Sequence, residues 1–282
     1  MKMKIDAHQH FWIYSQQEYA WIDDHMEILK KNYLPQNLLP LLQQNKVAGT
    51  IAVQARQSLA ETRWLLSLAQ TNTFIKAVVG WVDLCAKDLE EQLHEFSQHP
   101  KFTGVRHVVQ DEPDDHFLMK KKFLRGVEKL ERYHLTYDVL IFPRHLPVAI
   151  DFVSHFPEQR FVLDHIAKPP IKDRILQPWK NDIRRLASCA NVYCKVSGMV
   201  TEANWQRWHN EDFYPYLDVV FEAFGPKRIM YGSDWPVCTL AGTYHDVFNL
   251  FIEYVSRHYS SDDIMAALFG GNAQWFYRIS LT

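Results

Sequence analysis

His8 and His10 stand two residues apart in Ile5-Asp6-Ala7-His8-Gln9-His10, at the end of a short apolar run near the start of the chain. A strand sends residues two apart to the same face. If residues 3–10 are extended, both imidazoles converge on one point. At 228–236 the pattern returns: an apolar run, Arg-Ile-Met-Tyr-Gly-Ser, delivers Asp234 where a strand gives way to a loop. Two imidazoles and a carboxylate at strand ends can hold a divalent metal or activate a water. A lone His-x-His is as often an exposed or core pair; the carboxylate at a second strand end favours chemistry.

The remaining composition bounds what these groups can serve. The chain has 282 residues, 47% hydrophobic and 23% charged, with a formal net charge of −2. That balance suits a soluble globular protein and gives no electrostatic reason to expect nucleic acid or a membrane surface as partner. No run of 18 apolar residues exists, and no apolar leader precedes the first strand, so a cytoplasmic protein is expected. Cys85, Cys189, Cys194 and Cys238 lack CxxC spacing and are read as reduced thiols. A neutral surface allows a monomer or a homodimer.

Positioning such a site requires regular strands. Apolar, β-branched runs fall at 3–8, 47–54, 76–83, 102–107, 135–141, 160–165, 191–197 and 227–233. Between them, helix-like apolar spacing covers 35–45, 58–71, 86–97, 116–134, 145–155, 178–189, 213–224 and 243–259. Ser58 and Glu61 read as a capping box. Ser261 with Asp262 and Asp263 opens a last helix that Gly270-Gly271 closes, and a short helix carrying Trp275 and Phe276 is expected on the outside. Eight strand–helix repeats predict an α/β fold: a single-domain, distorted (β/α)8 TIM barrel over residues 1–282. A doubly wound sheet fits less well, because no glycine-rich phosphate loop follows the first strand.

In such a barrel, chemistry belongs at the C-terminal ends of the strands. Taken in order, those ends carry His8 and His10; Gln54 and Arg56; Trp81 and Asp83; Arg106 and His107; Tyr137 and Asp138; Asp164, His165 and Lys168; Lys195 and Ser197; and Asp234. Gln54 and Asp83 serve equally well as caps of the next helix. Arg106 suits a substrate contact better than an inward structural ion pair, and Lys195 either enters the barrel mouth or snorkels. His165 is the strongest candidate after the opening pair, with Asp164 placed to orient its second nitrogen. Trp12 and Trp21 lie in an aromatic loop that could stack on a sugar face or act as a packed plug.

Six blocks carry a family resemblance: Asp6-Ala7-His8-Gln9-His10-Phe11-Trp12, Gly80-Trp81-Val82-Asp83-Leu84, Gly104-Val105-Arg106-His107, Leu163-Asp164-His165-Ile166-Ala167-Lys168-Pro169, Asn191 to Gly198, and Gly232-Ser233-Asp234-Trp235-Pro236-Val237. In this order the chain resembles the amidohydrolase-related branch of the amidohydrolase superfamily, and most of all its sugar-lactonase group of L-fuconolactonases and L-rhamnonolactonases. The resemblance implies a hydrolase of cytoplasmic carbohydrate catabolism that opens a sugar-acid (aldono) lactone. It implies a catalytic centre of Asp234, His165, His8 and His10, to which the chemistry of lactone opening adds Arg106. Asp234 would activate water, the histidines would polarise the carbonyl, and Arg106 would donate to the oxyanion. Substrate contacts are assigned to Gln54, Trp81, Asp83, Lys195, Trp12 and Trp21. The superfamily's usual extra ligand near strands four and five is missing here, since those ends carry Arg106-His107 and Tyr137-Asp138. The expected cofactor is therefore one divalent ion, zinc first, on His8, His10 and Asp234, or none. The alternatives are a dicarboxylate lactonase, a decarboxylase of a small unsaturated acid, and a non-catalytic binding barrel.

Overall fold

A computed structural model describes residues 3–280. Eight strands form one parallel sheet in chain order: β1 Ile5–Gln9, β2 Gly49–Val53, β3 Ile75–Gly80, β4 Phe102–Val108, β5 Thr136–Leu140, β6 Phe161–Leu163, β7 Val192–Val196 and β8 Ile229–Tyr231. The helices that cover it are α1 Pro35–Gln44, α2 Leu59–Thr71, α3 Leu89–Ser97, α4 Lys121–Val127, α5 Leu146–Ser154, α6 Trp179–Ala187, α7 Asn210–Phe224 and α8 Tyr244–His258. Two short helices follow, α9 Asp262–Ala266 and α10 Asn272–Phe276. No helix among the described residues is long and apolar enough to cross a membrane. The eight-stranded (β/α) barrel agrees with the alternation read from the sequence.

The barrel closes between β8 and β1 through the residues just beyond their ends. The Asp234 N–H donates to the His8 carbonyl at 2.8 Å, and the His10 N–H donates to the Trp235 carbonyl at 2.7 Å. The Asp6 carboxylate accepts from the Ser233 N–H at 2.8 Å. Closing this seam therefore sets Asp234 beside the two histidines.

β1 is irregular where it matters. Asp6 aligns with Thr50 but Gln9 with Ala52, so β1 holds one extra residue between them. Ile5 and Ala7 join the apolar cluster inside the barrel, yet His8 and His10 also face the interior centre. Strict alternation cannot do both. The bulge re-aims the chain so that the side-chain phase changes before the site.

Three local expectations need correction. The helix expected over 116–134 is broken: Phe117 and Phe123 both pack on the His107 ring, and the chain runs through an extended Lys120 between them. At α2, Ser58 Oγ accepts from the Glu61 N–H as expected, but the Glu61 side chain does not return to cap it. It accepts from the Ala55 and Arg56 N–H groups at 3.0 Å each and from the Tyr19 hydroxyl at 3.2 Å. Burial pushes this carboxyl up to about 7. The third correction concerns the C-terminal helix, of which only Trp275 lies outside, stacked on Tyr193. Phe276 and Tyr277 are buried with Ile5, Ile51, Ala77 and Val162, and they plug the barrel floor.

That difference is measurable. Phe276→Ala should lower stability by about 3–5 kcal/mol through transfer and cavity terms. Trp275→Ala should lower it by about 1 kcal/mol or less, as expected at an exposed site. Equal urea midpoints for the two variants would contradict the plug.

Candidate active site

His10 is fixed first. Its Nδ1 lies 2.8 Å from the Val53 carbonyl, a partner that can only accept, so Nδ1 carries the proton and Nε2 presents a lone pair. That Nε2 stands 3.2 Å from His8 Nε2 and 3.3 Å from Asp234 Oδ1. His8 Nδ1 rests 3.3 Å from Asp164 Oδ1 and 3.2 Å from Lys195 Nζ. His165 approaches Asp234 from the far side, Nε2 to Oδ1 3.9 Å. The structure thus brings together His8, His10, His165 and Asp234, all at most 4% exposed.

A layer of buried charge lies directly below. The Lys195 ammonium donates to Asp138 and lies 3.1 Å from Asp164 Oδ1. Arg106 Nη1 donates to Asp164 Oδ2 at 3.1 Å and lies 3.3 Å from His8 Nε2. Tyr277, rising from the floor, donates its hydroxyl to both Asp138 oxygens at 2.9 Å. Desolvation opposes every one of these charges. For Asp164 that penalty is outweighed by Lys195, His8 and Arg106, which hold its carboxyl well below the usual range. Burial keeps His8 and His165 as neutral imidazoles, far below the usual histidine value. At Asp234, burial is again overcome, here by His165, His10 and Lys168, and the carboxyl stays below its ordinary value.

The turn after β6 is strained. His165, Ile166, Ala167 and Lys168 are all left-handed, with φ of 53°, 48°, 60° and 49°. Ile166 is β-branched and poorly suited to that region. The turn is held by the Trp179 indole N–H, which donates to the Ile166 carbonyl at 2.8 Å. Gly198, itself at φ +60°, leaves room for the ring: a Cβ there would stand 2.4 Å from His165 Nδ1. This turn swings His165 away from Asp164. Its Nδ1 pairs instead with Ser197 Oγ at 2.9 Å, so Ser197 is the orienting group and Asp164 serves His8, Lys195 and Arg106.

Above the centre lies a cavity of about 330 Å³, lined among others by His10, Arg106, His165, Lys168, Asp234 and Trp21. The expected substrate contacts divide sharply around it. Trp21 is on the wall. Trp12 is fully buried behind it, its indole N–H donating to the Lys31 carbonyl at 2.9 Å. Lys195 is fully buried in the interior layer. The Gln54 side-chain amide donates to the Arg106 main-chain carbonyl at 3.2 Å, and the Gln54 main-chain carbonyl accepts from the Arg106 guanidinium. It therefore positions Arg106. Trp81 donates to His107 at 3.4 Å. Asp83 caps its own turn, accepting from the Cys85 N–H at 2.9 Å. With Arg106 turned inward, His107 points outward to Glu112 at 2.7 Å. Tyr277 carried no signal in the sequence, because its partner is 139 residues away.

His8, His10 and Asp234 each offer one donor atom, all within 4.8 Å of one another. His8, Asp164 and His165 form a second such group, but Asp164 is already engaged by two cations. The first group fits a divalent ion. With the His8 Nδ1–H directed to the Asp164 carboxylate, the Nε2 lone pairs of His8 and His10 face each other at 3.2 Å beside a carboxylate, which a cation would relieve.

Removing the central cation tests the charged layer. Lys195→Met should destabilise the fold by about 3–5 kcal/mol by stranding Asp138 and Asp164. Adding Asp138→Asn should restore part of the loss. A wild-type denaturation midpoint for Lys195→Met would contradict the network.

Comparison with known proteins places this geometry. An L-fucono-1,5-lactonase of Burkholderia multivorans is 40% identical over 287 residues, covering 98% of this chain and 96% of the relative. An L-fucono-1,5-lactonase of Burkholderia ambifaria is 37% identical, covering 99% and 97%. A crystal structure of a Burkholderia multivorans amidohydrolase with bound zinc superposes with a TM-score of 0.95 at 40% identity, over 99% of this chain and 100% of that one. The amidohydrolase family model matches residues 5–279, and the chain belongs to that family.

Proposed function

We propose that this protein hydrolyses the ring ester of a sugar-acid lactone, with L-fucono-1,5-lactone as the first substrate to try. The near full-length similarity to two L-fucono-1,5-lactonases carries this reading. His8 Nε2, His10 Nε2 and Asp234 Oδ1 would hold one divalent ion, zinc first, because their donor set suits it and a similar structure contains zinc. Bound there, the ion would polarise the lactone carbonyl and acidify a water.

The chain's own groups supply the rest. Asp234, ionised and central, takes the proton from the attacking water. It returns a proton to the ring oxygen, since an alkoxide is too basic to leave unprotonated near neutral pH. His165 flanks Asp234 with its ring fixed by Ser197, and Arg106 reaches the cavity with its position fixed by Asp164 and Gln54. These donors face the carbonyl without needing to reorganise. Trp21 offers a ring face to the sugar.

The arginines in and near the cavity favour a neutral lactone over a dicarboxylate, because each already has a carboxylate partner. Arg56 is paired with Glu18 at 2.6 Å, Arg106 with Asp164, and Arg144 with Asp115 at 2.9 Å. A decarboxylase reading lacks a further donor near strand five, where Asp138 is engaged by Lys195 and Tyr277.

Proton release from a panel of aldonolactones, followed with a pH indicator, tests the proposal. Wild-type protein should open L-fucono-1,5-lactone, and Asp234→Asn should lose about 10²–10⁴-fold in kcat. No release on any lactone would overturn the activity. Near-normal turnover by Asp234→Asn would overturn the role of that carboxylate.

A further inference from the structure

Three cationic side chains line the cavity: Arg56, Arg106 and Lys168. Two are already neutralised, Arg56 by Glu18 and Arg106 by Asp164. Lys168 has no carboxylate oxygen within 4 Å among the described residues; its ammonium lies 5.5 Å from the centre of the Phe142 ring. The largely buried Glu202 and Asp234 carboxylates feel its field without reaching ion-pair distance, so this partly buried ammonium keeps donors for an incoming anion.

The backbone shows how closely this cation is tied to the site. Lys168 ends the run of four left-handed residues that begins at His165. Its N–H closes the turn on the His165 carbonyl at 2.8 Å. Ile166 and Ala167, between them, are fully buried. One strained turn therefore delivers both His165 and Lys168 to the same cavity wall. Strain of about 1–2 kcal/mol for each such residue persists only where surrounding packing enforces it. Lys168 is also among the charges that hold the Asp234 carboxyl low, after His165 and His10, which places its field at the reacting centre.

We propose that Lys168 is the product-binding residue of this pocket, receiving the carboxylate that appears when the lactone ring opens. The inference rests on the lactonase reading above. The substrate is neutral. Water oxygen bonds to the carbonyl carbon, the bond from that carbon to the ring oxygen breaks, and the ring oxygen leaves as a hydroxyl. The new carboxylic acid gives its proton to solvent and becomes an anion. The Lys168 ammonium gains little from the neutral lactone and much from the carboxylate. One cavity cation outside any direct ion pair also matches a product with one carboxylate.

The test compares wild-type, Lys168→Met and Lys168→Arg proteins in two measurements. The first is inhibition of lactone hydrolysis by L-fuconate, and the second is direct calorimetric binding of L-fuconate. In Lys168→Met, fuconate inhibition and binding should weaken by at least about tenfold, as expected for loss of a charge-assisted hydrogen bond. The KM for lactone should stay within about threefold of wild type. Lys168→Arg should restore most of the fuconate affinity, which a merely structural role would not require. Unchanged fuconate affinity in Lys168→Met would overturn the inference, as would a lactone KM that rises as much as the inhibition constant. Wild-type protein that binds fuconate but opens no lactone would overturn the activity instead, and the calorimetric comparison would still decide the role of Lys168.

Discussion

The site depends on one buried cation. Lys195 sits in the barrel interior between Asp138 and Asp164, and its ammonium also touches His8 Nδ1. Isolated, each of these charges would be costly to bury. Together they form a layer in which Lys195 and Arg106 balance Asp138 and Asp164, while Tyr277 supplies a further donor from below. The arrangement restricts His8. The Nδ1 edge of its ring is occupied by Asp164 and Lys195, so Nε2 is turned toward His10, Asp234 and the Arg106 guanidinium. A ligand-grade imidazole is thereby held in place by groups that never line the cavity.

The remaining members are held by backbone devices rather than by charge. Asp234 arrives through the β8–β1 seam, where the His8 carbonyl accepts its N–H. His10 follows the bulge in β1 and is fixed by the Val53 carbonyl. His165 and Lys168 arrive on a strained left-handed turn that Trp179 and Gly198 accommodate. Each device departs from ideal strand or turn geometry. The departures cluster at the C-terminal rim, where a (β/α)8 barrel concentrates its chemistry.

Much of this was legible in the sequence, for physical reasons. Each strand is a short apolar run that ends in an ionisable or amide group, so the barrel and its rim could be located by periodicity alone. His8, His10, His165 and Asp234 stand where strands end, and they meet in space. What periodicity could not convey was depth. Lys195, Gln54 and Asp83 occupy similar rim positions in the sequence, yet one is buried below the centre, one braces Arg106 and one caps a turn. Asp164 seemed the natural partner of His165 because they are neighbours, but the left-handed turn separates them. The β1 bulge and the Tyr277 contact depend on register and on long-range packing, which leave no local pattern. Lys168 lay within a motif already singled out, and only the ion-pair inventory of the pocket distinguished it from its neighbours.

Zinc titration of chelator-treated protein, by calorimetry on the wild type and on His10→Ala, tests the central claim most directly. If the charged layer and the seam preform a three-donor centre, the wild type should bind one ion per chain at a saturable site that His10→Ala loses. No saturable site in the wild type, or equal stoichiometry and affinity in both proteins, would contradict the assignment of His8, His10 and Asp234 as that centre.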